Sequence, residues 1–253
     1  MLQPLSASDL LDLWERGENR TPIEQALVIL EFAFPGLSAD RLAHLTIGQR
    51  DACLLKVREL TFGSRLKGLA ACPSCGERLE MAFDVGDLQP QEAALPDLEK
   101  EGGAGTTASL KFSPYEVTFR LPDSADLSAV AGMQDIGLAR RRVLEACLLE
   151  VRKDGETAAP DELPGEVLDA VTAHMGQAEP LANLSLAVNC PACGHSWQVV
   201  FDIVAFLWNE IDAWAARFMR EVHILASAYG WHEAEILAMS TWRRQRYLEM
   251  VGA

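Results

Sequence analysis

A chain of 253 residues, 49% of them hydrophobic, is long enough for one large folded unit or two small ones and apolar enough to bury a core. Its 37 acidic residues outnumber its 22 basic ones, and a formal net charge of −15 repels polyphosphate, which argues against nucleic acid as a partner. The first residues, MLQPLSASDLLDLWERGENR, lack a basic stretch followed by an apolar run, and no run of about 18 apolar residues occurs; the expectation is a cytoplasmic protein without a membrane segment.

Residues 1–69 read as an N-terminal helical region. Ser8 is placed as the cap of DLLDLWERG, and Thr21-Pro22-Ile23-Glu24 combines a capping box with proline at the first helical position, predicting a helix from Thr21 to Phe34 that Pro35-Gly36 ends. Ser38 and Thr46 start two more helices, the second with Gln49 completing another capping box. On that helix Ile47, Leu54, Leu55, Val57 and Leu60 fall largely on one flank, and Gly63 is placed as a left-handed cap.

Residues 70–122 change period. Leu79, Met81 and Phe83 alternate as in a half-buried strand, so the stretch around CPSCG reads as strand, knuckle, strand. An acidic, Pro- and Gly-bearing connector over 86–107 follows, and then Leu110, Phe112, Tyr115, Val117 and Phe119 flank a Ser-Pro turn and predict a hairpin. Residues 123–182 read as a helical insertion, 183–204 as a second knuckle, and 205–253 as a C-terminal helical region. That last region opens with a long apolar helix and closes with two short ones, Ser240 capping the second and Arg243, Arg244 and Arg246 giving it a basic face. Phe206, Trp208, Trp214, Phe218, Tyr229 and Trp231 are suited to anchoring a protein partner, although filling the core is the commoner role for any one of them. The predicted fold class is α+β, mainly helical, with a small antiparallel zinc-ribbon module built from two CPxCG knuckles.

The knuckles are near copies. CPSCGERLEMAFDV at 72–85 and CPACGHSWQVVFDI at 190–203 match at both cysteines and continue to Phe83/Phe201, Asp84/Asp202 and Val85/Ile203. Two thiolates three positions apart on a tight turn supply one edge of a tetrahedral zinc site, with proline fixing the turn and glycine permitting the conformation that points amide N–H groups at sulfur. One knuckle gives two ligands, so a closed site needs two. Of the six cysteines, Cys72, Cys75, Cys190 and Cys193 are therefore expected to hold one structural zinc ion, with no position left for water or substrate. A redox pair, which requires the motif at a helix start, and two separate metal sites or none are the alternatives. His195 pairs with Glu77 in the repeat and reads as a solvated turn residue, and Cys53 and Cys147 read as small core residues. ACLLKVR at 52–58 and ACLLEVR at 146–152 form a weaker echo, each expected on a helix preceding a knuckle, with chance similarity the alternative.

Enzyme signatures are absent: there is no P-loop, GxGxxG, GxSxG or HExxH, and the histidines show no ligand or triad spacing. Asp123 and Asp126 in RLPDSADL read as a turn and helix cap rather than a catalytic pair. The chain is expected not to be an enzyme.

The order TIGQRDACLLKVRELTFG, CPSCGERLEMAFDV, YEVTFRLPDSADL, CPACGHSWQVVFDI and EVHILASAYGWHEAEILAMSTWRRQRYLEMV resembles the T-even phage baseplate hub assembly chaperone family, and more closely its cysteine-bearing relatives encoded with phage-tail-like contractile injection systems. The resemblance covers nearly the whole chain. It implies a structural or assembly role, other baseplate or tail proteins as partners, and incorporation into a multi-subunit particle or departure after assembly. No family active site comes with these motifs. The competing class is a zinc-ribbon adaptor or regulator acting elsewhere, for instance on transcription machinery.

Overall fold

The computed structural model describes residues 2–88 and 107–252, so the anticipated acidic connector lies mostly outside the described residues. The body of the molecule is helical. α1 (Ala7–Gly17), α2 (Pro22–Ala33), α3 (Ala39–Ala43) and α4 (Ile47–Phe62) each open on a side-chain cap. Thr21 with Glu24 and Thr46 with Gln49 form the expected capping boxes, and Ser38 caps α3. The first cap is Ser6 rather than Ser8, because Asp9 stands three residues after Ser6 and completes the reciprocal pair of bonds.

α4 departs from the one-flank expectation. Ala52, Cys53, Leu54, Leu55, Val57 and Arg58 are all buried, whereas Leu60 is 43% exposed. The helix runs through the middle of the body, where α2 and the later α9 pack on it, so nearly its whole circumference is covered. Each fully buried Leu or Val contributes about 1.5–3 kcal/mol. Gly63 does adopt positive φ, but its ψ of 176° is extended, so it is not a left-handed helical cap. Its carbonyl instead accepts from the Arg58 guanidinium.

β1 (Arg65–Ala71) and β2 (Arg78–Asp84) make the first cysteine hairpin, and Leu79, Met81 and Phe83 face inward half-buried, as their alternation predicts. The one-turn helix α5 (Val85–Leu88) follows.

Residues 107–178 form a lobe with its own core. β3 (Thr107–Phe112) and β4 (Tyr115–Arg120) are the predicted hairpin around Ser113-Pro114. α6 (Ser124–Val130) and α7 (Ile136–Cys147) follow, but the helix then stops. Leu148–Lys153 is strand β5, paired with β4 and with the short β6 (Glu156–Thr157) in a four-stranded sheet, so residues 148–153, expected to be helical, are strand instead. Val151 lies opposite Val117, and α8 (Gly165–Ala178) covers the sheet with Val167, Val171 and Met175.

β7 (Ser185–Asn189) and β8 (Ser196–Val200) make the second cysteine hairpin. α9 (Ile203–Tyr229) then runs the length of the body, laying Ile203, Val204, Leu207 and Ile211 into the core with α1, α2 and α4. The Trp208 indole packs against Gly17 of α1, where a Cβ would collide with it. Gly230 ends α9 in the left-handed conformation. α10 (Glu233–Leu237) and α11 (Thr241–Val251), the latter capped by Ser240 as expected, fold back on it. No helix among the described residues is long and apolar enough to cross a membrane.

The C-terminal basic face needs correction. Arg243 and Arg246 are exposed, but Arg244 points inward, donates to Glu221 at 2.8 Å and lies 4.5 Å over the Phe218 ring. Of the aromatic set only Phe218 is buried; Phe206, Trp208, Trp214 and Trp231 are half-buried and Tyr229 is exposed. Trp214 stacks on buried Phe218, and Tyr229, Trp231 and Tyr247 cluster where α11 meets α9.

Candidate metal centre

Each cysteine pair sits on a turn that the backbone closes twice. Cys72 N–H donates to Glu77 O at 2.9 Å and Gly76 N–H to Cys72 O at 2.9 Å; in the second copy Cys190 N–H reaches His195 O at 2.8 Å and Gly194 N–H reaches Cys190 O at 2.9 Å. Gly76 and Gly194 carry φ of 77° and 73°, a conformation that a Cβ would strain, which is why glycine follows the second cysteine in both.

The fold brings the two turns face to face. Cys72 Sγ lies 3.7 Å from Cys193 Sγ, Cys75 Sγ lies 3.6 Å from Cys190 Sγ, and all four sulfurs fall within 4.8 Å of one another. A tetrahedral ion bound at about 2.3 Å spaces its sulfurs at about 3.8 Å, so these two of the four inter-hairpin edges have the length that such an ion requires. The cross-pairing makes the arrangement pseudo-twofold: the first cysteine of each turn is buried and faces the exposed second cysteine of the other.

The sulfurs also influence each other's protons. Burial works to raise the Cys72 thiol, but the N–H groups of Cys75 and Ser74 and the neighbouring Cys75 and Cys193 bring it down to about 7. For Cys75 the Glu77 N–H favours the thiolate, yet hydrogen bonds with Cys193, Cys190 and Cys72 raise it to about 12. A cation at the centre would hold all four sulfurs as thiolates. These four cysteines could hold a metal ion, and the set is closed by sulfur on every vertex.

The repeat continues past the sulfurs. Phe83 and Phe201, equivalent in the two copies, meet edge to face with centroids 5.6 Å apart. Val85 and Ile203, also equivalent, are both buried in the helical body, and each begins a helix. Asp202 caps α9 by accepting from Val204 and Ala205 N–H, whereas Asp84 accepts from Ser64 Oγ and passes the chain into the single turn of α5.

His195 is an exposed turn residue, its ring stacked on Trp197 and outside the four-cysteine group. Cys53 and Cys147 are far from it in character: both are fully buried, and burial pushes both thiols up to about 12.

Asp123 and Asp126 are the capping box of α6, as their spacing indicates. Asp126 also binds Arg120 in a bidentate pair at 2.6 and 2.7 Å; burial opposes its charge, but that guanidinium holds its carboxyl below the usual range. Asp123 reaches across to His44 Nδ1 at 2.9 Å. Glu179, just after the lobe, accepts from Thr46 Oγ1 and from Gly48 N–H at 3.1 Å and so caps α4 from outside the helix. A cap supplied by a residue so distant in sequence carries no local signal, and neither does the pairing of buried Arg58 with Glu210 through two bonds of 2.8 Å.

No curated protein and no solved structure matches the chain. A family model described as "T4 bacteriophage base plate protein" matches residues 18–208, a span that holds both cysteine hairpins, the lobe between them and the start of α9. The chain belongs to this phage baseplate protein family.

Proposed function

We propose that the chain is a non-catalytic structural or assembly protein, chaperone-like in role, of the baseplate of a phage-tail-like contractile injection system, and that its four cysteines hold one structural zinc ion. The observation that carries the proposal is the family match across residues 18–208 together with the cysteine clasp inside that span. A baseplate protein works by binding other baseplate or tail proteins, and the particle is assembled in the cytoplasm.

Zinc is the ion favoured by a closed set of four thiolates, since sulfur is a poor ligand for calcium or magnesium and the set leaves no open position for chemistry. The clasp ties together chain on either side of the 107–178 lobe and fixes the starts of α5 and α9. Metal binding then acts as folding energy rather than as catalysis.

Two measurements test the proposal. Genes beside this one should encode sheath, tube and baseplate proteins, and a tagged chain should be recovered with baseplate intermediates; a neighbourhood free of tail genes sinks the injection-system context. Recovery in purified intact particles excludes a purely transient chaperone. Elemental analysis of the purified protein should find about one zinc per chain, and two or none would overturn the shared site.

A further inference from the structure

We infer that the outward face of α11 is a docking surface for an acidic baseplate protein, with Trp242 as its anchor. This rests on the baseplate reading and adds to it the surface and the chemistry of the partner. The helix lies beyond the span that the family model matches.

α11 has two faces. Inward, Leu248 is buried and Arg244 is held by Glu221, by the Met239 carbonyl and by the Phe218 ring, so the helix is fixed on α9 rather than free to roll. Outward, Trp242, Arg246 and Met250 follow one another at intervals of four and share one side of the helix. Trp242 is 71% exposed and Met250 74%. Leaving an indole and a thioether in water forgoes the burial that drives most folding and association, and Trp, Arg and Met are the residues enriched at the centres of protein interfaces.

The indole is held in place. Arg246 lies 5.5 Å over the Trp242 ring and is itself tethered to Glu249 at 2.9 Å. Ordering the side chain beforehand lowers the entropy lost on docking.

Charge selects the partner. Arg243 stacks over Tyr247 at 5.8 Å, and among the described residues no carboxylate pairs with it. A face with a net positive charge on a chain of net charge −15 is complementary to an apolar socket bordered by Asp or Glu. A second copy of this chain is a poor match. The apolar hollow of about 500 Å³ between α6, α7 and α8 is lined by Arg140 as well as Glu179, and the hollow of about 690 Å³ on the first cysteine hairpin by Arg65 and Lys67 as well as Glu80, so neither is a socket bordered by acid alone.

The test uses the full chain and each purified baseplate protein encoded beside its gene. One acidic neighbour should bind the wild type, Trp242→Ala should weaken binding about 10- to 100-fold, and the double change Arg243→Glu, Arg246→Glu should weaken it and flatten its salt dependence. Trp242→Phe should restore much of the affinity. The altered side chains are exposed, so melting temperatures should stay near the wild-type value, which separates lost docking from lost folding. Equal binding by wild type and Trp242→Ala overturns the surface while leaving the baseplate role standing; no binding by any neighbour overturns both. A dimer that dissolves in Trp242→Ala, or sedimentation of the wild type alone with phosphatidylglycerol vesicles, replaces the acidic protein partner by a second copy or a lipid surface and overturns the inference.

Discussion

Two pairs of similar segments lie in this chain, and they behave differently. The cysteine hairpins at 72–85 and 190–203 take the same backbone course, down to the positive-φ glycine, the closing hydrogen bonds and the buried residue that opens the next helix. The heptads ACLLKVR at 52–58 and ACLLEVR at 146–152 differ at one position, yet the first is wholly helical and the second leaves its helix after Cys147 and becomes β5. A tight turn with glycine and paired N–H donors specifies its own geometry, whereas Leu-Leu-x-Val-Arg is compatible with either period and takes the one its neighbours reward. Val151 opposite Val117 in the sheet supplies that reward in the lobe. Chance similarity is thus the better account of the heptads.

The sharpest break of this comparison is removal of the clasp. Alanine at Cys72 or Cys190 is expected to abolish metal binding and lower the melting temperature by about 10 °C or more, since binding energy in small zinc modules is on the order of 10 kcal/mol. Elemental analysis and a melting curve check it; a variant as stable as the wild type would make the hairpin symmetry a matter of backbone alone.

Next in size are paired substitutions in the heptads. Leu55 is 1% exposed and its counterpart Leu149 is 54% exposed, so Leu55→Ala should cost about 2–5 kcal/mol and Leu149→Ala no more than about 0.5 kcal/mol by denaturant unfolding. Arg58→Ala strands Glu210 and should cost about 2–3 kcal/mol, the modest figure reflecting the 29% exposure that Glu210 retains. Arg152, its counterpart, makes an exposed pair with Glu150, and Arg152→Ala should cost less than about 1 kcal/mol. Equal costs within either pair would restore the heptads as a true structural repeat.

The smallest expected effect is at the junction of lobe and body. The hydrogen bond to Asp123 raises His44 above its usual pKa of 6.5. A raised folded-state pKa contributes stability that is fully present below about pH 6.5 and is lost as pH rises through the folded-state value. His44→Ala should therefore destabilise more at pH 5.5 than at pH 8, by a few tenths of a kcal/mol, because the ring is more than half exposed and solvent screens the pair. A difference of the opposite sign would show that the His44–Asp123 contact is not an ion pair.

Much of the candidate centre was legible because it is built from local chemistry. CPxCG marks the turn, the alternation of Leu79, Met81 and Phe83 marks the strand after it, and duplication marks the need for a partner. What spacing could not give was the cross-pairing of Cys72 with Cys193 and Cys75 with Cys190, which depends on how the lobe returns the chain. The capping boxes at Thr21 and Thr46 are legible for the same local reason, and so is the first cap, where Asp9 at the third position after Ser6 selects Ser6 over Ser8.

By itself, then, the sequence determined where the helices opened by Thr21, Ser38, Thr46 and Ser240 begin, which residues turn the cysteine knuckles, and that the chain is mainly helical with short antiparallel strands, because those features depend on contacts within a few residues. Only the tertiary structure decided that α4 is covered on nearly all sides while Leu60 is left in water, that Leu148–Lys153 is strand, that Arg244 turns inward to Glu221 and Phe218, and that Glu179 caps a helix far from it in sequence. Each of these depends on which distant surface comes to rest against the residue, and burial, unlike a cap or a turn, is a property of the whole packed chain.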